Sequence, residues 1–133
     1  MDKLEQIDQK PMSVNDAWQG RRHKSPKYKQ YIKAVLGWLY RVKPKKPDDT
    51  IPLFAHYRWG QSNIGADTDN PCKPFQDILF KEYWKLKSDH RIEFIILEKE
   101  KTLKKEEFIQ FRVDSKKELI EHLKSIIERL ECE

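Results

Sequence analysis

The chain holds 133 residues, which suits one domain with a modest core, since domains commonly run to roughly 100–150 residues. Its 38% hydrophobic and 37% charged residues make it polar for a globule, yet 4 Trp, 5 Tyr and 6 Phe exclude a disordered chain. The net charge of +5 is unevenly spread: residues 17–47 carry ten Lys and Arg and no acid, while the rest of the chain carries 17 basic and 22 acidic side chains.

A block of that kind attracts a phosphate backbone, because neutralised phosphates release condensed counterions without any reading of sequence. It also fits the solvated face of an ordinary basic helix. "MDKLEQIDQK" has no apolar core of a signal peptide, and no run nears the roughly 18 apolar residues of a membrane span, so a soluble cytoplasmic protein that does not engage a membrane is expected. Cys72 and Cys132 form no CxxC pair and are expected to stay reduced.

In chain order, residues 3–9 suggest a short first strand, and "KPMSVN" a turn. Over 27–42, Tyr28, Tyr31, Ile32, Val35, Leu36, Leu39 and Val42 fall at helical spacing, and Pro44 and Pro47 end the helix. A strand is predicted over 53–59, then a polar loop, "GQSNIGADTDN". A second helix runs from about Pro71 toward Leu86, with Pro74 disturbing its start because it lacks an N–H. "RIEFIILEK" and "FIQFRV" read as strands joined in a hairpin through "EKTLKKE". The last segment, about 115–131, is an amphipathic helix with Leu119, Ile120, Leu123, Ile126, Ile127 and Leu130 on its apolar face and Ser115 and Glu118 as a capping box. The order predicts a single α+β domain of two layers, a mixed β-sheet with helices packed mainly on one face, plus the C-terminal amphipathic helix.

The chemistry concentrates in "GADTDNPCKPFQD" at 65–77. Asp67 and Asp69 project to one side if the backbone is extended, and two such carboxylates can share one cation. Asp69, Lys73 and Asp77 follow at steps of four along a helix, and Asp89 can return through the next turn. Acids around an amine can bind Mg²⁺, activate water and offset charge on a phosphate. An EF-hand is excluded, because counting from Asp67 puts Pro71 and Cys72 at ligand and glycine positions and Ile78 where Glu belongs. A nucleotide-sugar D-x-D site has too little chain around it for a nucleotide-binding domain. The plain structural alternative is that Asp69 or Asn70 caps a helix and Lys73 with Asp77 is a surface pair worth a few tenths of a kcal/mol.

Asp67-x-Asp69-Asn70-x-x-Lys73-x-x-x-Asp77, followed by Ser88-Asp89-His90-Arg91-Ile92, resembles the signature of the RusA-like Holliday junction endonucleases. "KPMSVN" is similar to that family's Pro, Ser and Asn motif near its first strand, and "HKSPKYKQY" to its basic approach to the first helix. The resemblance covers about residues 10–98; the terminal helix is an extension. It implies a Mg²⁺-dependent homodimer, with Mn²⁺ as a substitute, that nicks opposite strands of a four-way DNA junction by attack of metal-activated water, in recombination and repair. By the resemblance, Asp67, Asp69 and Asp89 are the metal-binding acids, Lys73 the catalytic lysine, and Asp77 a further site position. Family members often have two adjacent acids where this chain has Ser88-Asp89, and Pro71 with Pro74 departs from the usual helix start.

Arg21, Arg22, Lys24, Lys27 and Lys29 are the candidate DNA contacts. Trp18 and Tyr28 are candidates for stacking on unpaired bases, whereas Tyr31, Trp38 and Tyr83 are expected in the core. His23, His56, His90 and His122 match no catalytic arrangement and are expected at the surface or core edge. The competing functions are a catalytically inactive DNA-binding module of the same fold and an interaction protein docking through its terminal helix.

Overall fold

The computed structural model describes residues 3–20, 23–63 and 65–133. The α+β architecture is as expected. A four-stranded mixed sheet has the order β1-β6-β4-β5, where β1 is Glu5–Ile7, β4 Leu53–Gln61, β5 Ile92–Lys101 and β6 Phe108–Ser115. A two-stranded ribbon, β2 (Trp18–Gln19) with β3 (His23–Lys24), joins the short helix α1 (Val14–Ala17) to α2 (Pro26–Val42).

Local chemistry sets the bounds of α2. The Ser25 hydroxyl accepts from the Tyr28 N–H at 3.1 Å and donates to the Asp16 carbonyl at 2.6 Å, while Pro26 opens the first turn with a preset φ. Lys43, in the left-handed region at φ 54, closes the helix by donating its N–H to the Leu39 carbonyl. Tyr28, Tyr31, Val35 and Leu39 then face the sheet and are buried.

Strand β4 is buried along both faces, which is why it sits in the middle of the sheet. Leu53, Ala55, Tyr57 and Trp59 join the main core with α2 and with Phe75, Ile78 and Leu79. Phe54 and His56 point to the opposite face, where α4 (Leu119–Glu131) lies and where Phe54 and His56 both meet His122.

The expected β5–β6 hairpin does not form. β5 runs parallel to β4 on one side, and β6 pairs antiparallel with β4 on the other. The connection arches over the end of β4, where Thr102 N–H donates to the Gln61 carbonyl and Phe108 crosses Gly60 so closely that a Cβ there would stand 2.2 Å from the ring. The physical reason is burial: β4, buried on both faces, needs a strand on each side, and β5 and β6 supply them. The apolar face assigned to α4 is also divided, since Leu119 and Ile126 are buried while Ile120, Ile127 and Leu130 are more than half exposed. Among the described residues no helix is long and apolar enough to cross a membrane.

Candidate acidic site

The site begins at α1. Ser13 caps it by accepting the Asn15 N–H, and the Val14 N–H donates to the Asn70 carbonyl at 3.0 Å. Asn70 lies four residues before Pro74, and a non-proline residue at 74 would compete for that carbonyl as a helical donor. Pro74 therefore leaves the Asn70 carbonyl to α1, and the proline that disturbs the helix in sequence docks the "KPMSVN" segment onto the acidic loop. Trp59 anchors the same loop from β4 by donating its indole N–H to the Thr68 carbonyl at 2.7 Å.

The following helix is shorter and less regular than the spacing predicts. It opens as α3 (Cys72–Asp77) and continues as a π-helical turn over Ile78–Tyr83, closed by Trp84 N–H donating to the Leu79 carbonyl, five residues back. π-turns are rare and concentrate at functional sites. Lys73 and Asp77 lie one turn apart, with Nζ 2.9 Å from Oδ1; Lys81 approaches the same oxygen at 3.6 Å. That buried oxygen has no well-directed hydrogen bond, so the two ammonium groups compensate it as ion pairs.

Asp89 arrives in the turn ahead of β5. Its Oδ2 accepts from the Gln76 side-chain amide at 2.6 Å and stands 3.8 Å from Lys73 Nζ, and Gln76 in turn accepts the Tyr57 hydroxyl at 2.8 Å. A hydrogen-bonded line thus runs from the buried strand to the half-buried carboxylate. Tyr57 and Gln76 are absent from the sequence-derived set; Gln76 is a buried polar residue within an otherwise apolar helix face, which is the one signal that marks it.

The structure brings Lys73, Asp77 and Asp89 together. Asp69 is exposed, and its carboxylate acts with Asp89 and Asp77 on the Cys72 thiol. Burial is the main force that pushes this thiol up to about 11, and the three acids outweigh the opposing pull of Lys73. Asp67 is also exposed and accepts the Asn70 side-chain amide at 3.2 Å. Among the described residues no three His, Cys, Asp or Glu side chains are already set to hold a metal ion. The candidate donors, Asp67, Asp69 and Asp89, are all carboxylates, and a hard-oxygen set of that kind fits Mg²⁺ or Mn²⁺ in chemical type. Lys73 is raised above its usual value, chiefly by the Asp77 contact, and stays an ammonium at neutral pH.

A shallow cleft of about 140 Å³ joins this centre to the basic segment, with Asp77 and Lys81 on one wall and Trp18, Lys24 and Tyr28 on the other. Lys24, Lys27 and Lys29 are exposed, and Lys24 lies 3.9 Å from Glu82. Arg21 and Arg22 lie outside the described residues. Trp18 remains available at 37% exposure, but Tyr28 is buried and donates its hydroxyl to the Pro74 carbonyl, so it is a core residue rather than a stacking surface.

No protein-family model matches the chain, and no curated protein aligns with it significantly.

On the opposite face of the sheet lies a cluster that the spacing does not reveal. His56 and His122 are buried, not at the core edge: His56 Nδ1 meets His122 Nε2 at 2.8 Å, His56 Nε2 meets Glu98 at 2.5 Å, and Arg112 meets His122 Nδ1 at 2.9 Å. A guanidinium can only donate, so the direction of the line is fixed: Arg112 to His122, His122 to His56, His56 to the Glu98 carboxylate, with both rings neutral. Arg129 of α4 closes it by donating to the same Glu98 oxygen at 2.7 Å.

Proposed function

We propose that this chain is a Mg²⁺-dependent, structure-selective endodeoxyribonuclease of the RusA-like type, a homodimer that nicks opposite strands of a four-way DNA junction. The observation that carries the reading is Lys73 between Asp77 and Asp89, one cleft away from the basic segment. A divalent ion held by Asp69 and Asp89, with Asp67 from the same loop, would supply a more acidic water and a Lewis acid for the scissile phosphate.

The residues of the chain do the rest. Lys73, held as an ammonium, offsets the charge that gathers on the phosphate oxygens. Asp77 keeps Lys73 and Lys81 in place, and Gln76 turns the Asp89 carboxylate toward the site. Lys24, Lys27 and Lys29, with Arg21 and Arg22, give affinity for the DNA backbone without reading bases. Trp18 offers a surface for an unpaired base at the centre of a junction. Such an enzyme would work in the cytoplasm, where Cys72 and Cys132 stay reduced, in recombination or repair.

The test is cleavage of a synthetic four-way junction in Mg²⁺ by the wild type, Asp89→Asn and Lys73→Met. Each substitution is expected to slow cutting by about 10²–10³-fold, in line with the loss of one electrostatic stabiliser, while junction binding in EDTA persists. Undiminished cutting by Asp89→Asn rejects the site. Binding by the wild type with no cutting in either Mg²⁺ or Mn²⁺ favours the second reading, a DNA-binding module of this fold without catalysis.

A further inference from the structure

The helical row that carries Lys73 continues past Asp77. Lys73, Asp77 and Lys81 stand at steps of four, so one ammonium lies a turn before the carboxylate and another lies a turn after it. The two amines are held differently. Lys73 Nζ is 2.9 Å from Asp77 Oδ1 and 3.8 Å from Asp89 Oδ2, which fixes it on the metal side of the centre. Lys81 Nζ is 3.6 Å from the same Asp77 oxygen, beyond hydrogen-bond reach, and its side chain is 49% exposed. An exposed pair at that distance contributes little to stability, so balancing Asp77 is a weak reason for the amine to be there.

Lys81 opens the other way, into the cleft that faces the ribbon. Lys24 and Trp18 stand across it, and Ile32 and Ile78 also line it. Asp77 is already paired with Lys73, and Glu82 lies 3.9 Å from Lys24, which leaves the Lys81 charge in excess at the cleft. A surplus ammonium at the mouth of a narrow cleft, beside an exposed indole, suits one phosphate of a nucleic-acid strand whose base lies toward Trp18.

We infer that Lys81 binds the phosphate next to the scissile one, on the same DNA strand, and so sets which linkage comes to rest over Lys73 and Asp89. The inference rests on the nuclease reading for the nature of the strand. Lys73 and Lys81 both stand within 3.6 Å of one oxygen, so they can meet neighbouring phosphates of one strand but not phosphates on separate arms of a junction. Holding two successive phosphates orients the scissile linkage before it reacts, and the strand then runs across the cleft to Lys24 and the basic ribbon.

Two measurements test this. Junction binding is followed against salt in EDTA for the wild type, Lys81→Met and Lys81→Arg. Lys81→Met should lower the slope of log affinity against log salt by about 0.9, Lys81→Arg should keep the wild-type slope, and the circular-dichroism spectrum should be the same in all three. In Mg²⁺, junctions carrying one neutral methylphosphonate on either side of the mapped cut are then compared. On one of the two sides the change should slow the wild type by about 10–100-fold, whereas Lys81→Met should cut that junction no more slowly than the unmodified one. An unchanged slope in Lys81→Met overturns the inference, as does a methylphosphonate penalty equal in wild type and variant. A wild type that binds the junction without cutting it removes the nuclease reading alone, because the salt slopes still decide whether Lys81 meets a phosphate.

Discussion

At the scale of single residues, the two faces of the sheet hold charged groups in different ways. Near α3 the carboxylates gather around Cys72 and Lys73 at a half-open surface; below α4 the line of Arg112, His122, His56 and Glu98 has both histidines buried and half-buried ends, and Arg129 closes it. Burial alone would raise Glu98, but the hydrogen bonds from Arg129 and His56 outweigh it, and its folded value lies below the usual carboxylate range. The sign follows from linkage: a depressed folded value gives stability above the ordinary glutamate value, and that stability is lost as pH falls through the folded value. Glu98→Gln should therefore cost about 1–2 kcal/mol near neutrality, a figure kept small by the partial exposure of Glu98, and should flatten the loss of denaturant midpoint on acidification. An unchanged acid limb in Glu98→Gln would remove Glu98 from that account. Cys72 offers a separate probe of the acidic centre. Since its thiol is held at about 11, iodoacetamide at pH 8 should label exposed Cys132 quickly and Cys72 slowly, and Asp69→Asn with Asp89→Asn should speed Cys72. Equal labelling rates at Cys72 with and without those acids would show that they do not converge on it.

At the scale of elements, the strands and helices were largely legible because their periods are strong. The stripe from Tyr28 to Leu39 and the Ser25–Pro26 start define α2 without any tertiary information, and the structure begins the helix at Pro26, one residue before the apolar period suggests. Pairing was not legible. A hairpin is the cheapest connection for two neighbouring strands in sequence, and only the burial of β4 on both faces shows that β5 and β6 must part around it. That arch depends on one position. Gly60→Ala would drive a methyl group into Phe108 and should cost about 1–3 kcal/mol in urea unfolding, and Phe108→Leu in the same chain should recover part of it. No loss on Gly60→Ala would mean the crossing has room to relax. The candidate site shows the same division. Lys73 and Asp77 meet because four residues make one helical turn, whereas Gln76 finds Asp89 only through the return of the chain after the π-turn.

At the scale of the whole molecule, charge is segregated along the chain, with the basic block in the ribbon and α2 and the acids elsewhere. Electrostatic attraction of DNA to that block should fall steeply with salt. Lys27→Gln and Lys29→Gln should each lower the slope of log affinity against log salt by about 0.9, with little change in base preference, if each side chain meets one phosphate. A slope identical to the wild type in the double variant would move the DNA contact elsewhere. The sequence by itself determined what depends on neighbours along the chain: the helical stripes, the Ser and Pro caps, the apolar strands and the spacing of Asp67, Asp69, Lys73 and Asp77. Tertiary structure alone decided the order of strands, the burial of His56 and His122, the partition of α4 into a covered and an uncovered flank, and the meeting of Asp89 with Lys73. The reason is that periodicity records which way a side chain points from its own backbone. What it then meets depends on the packing of β4 between residues distant in sequence, and that is not written in any one segment.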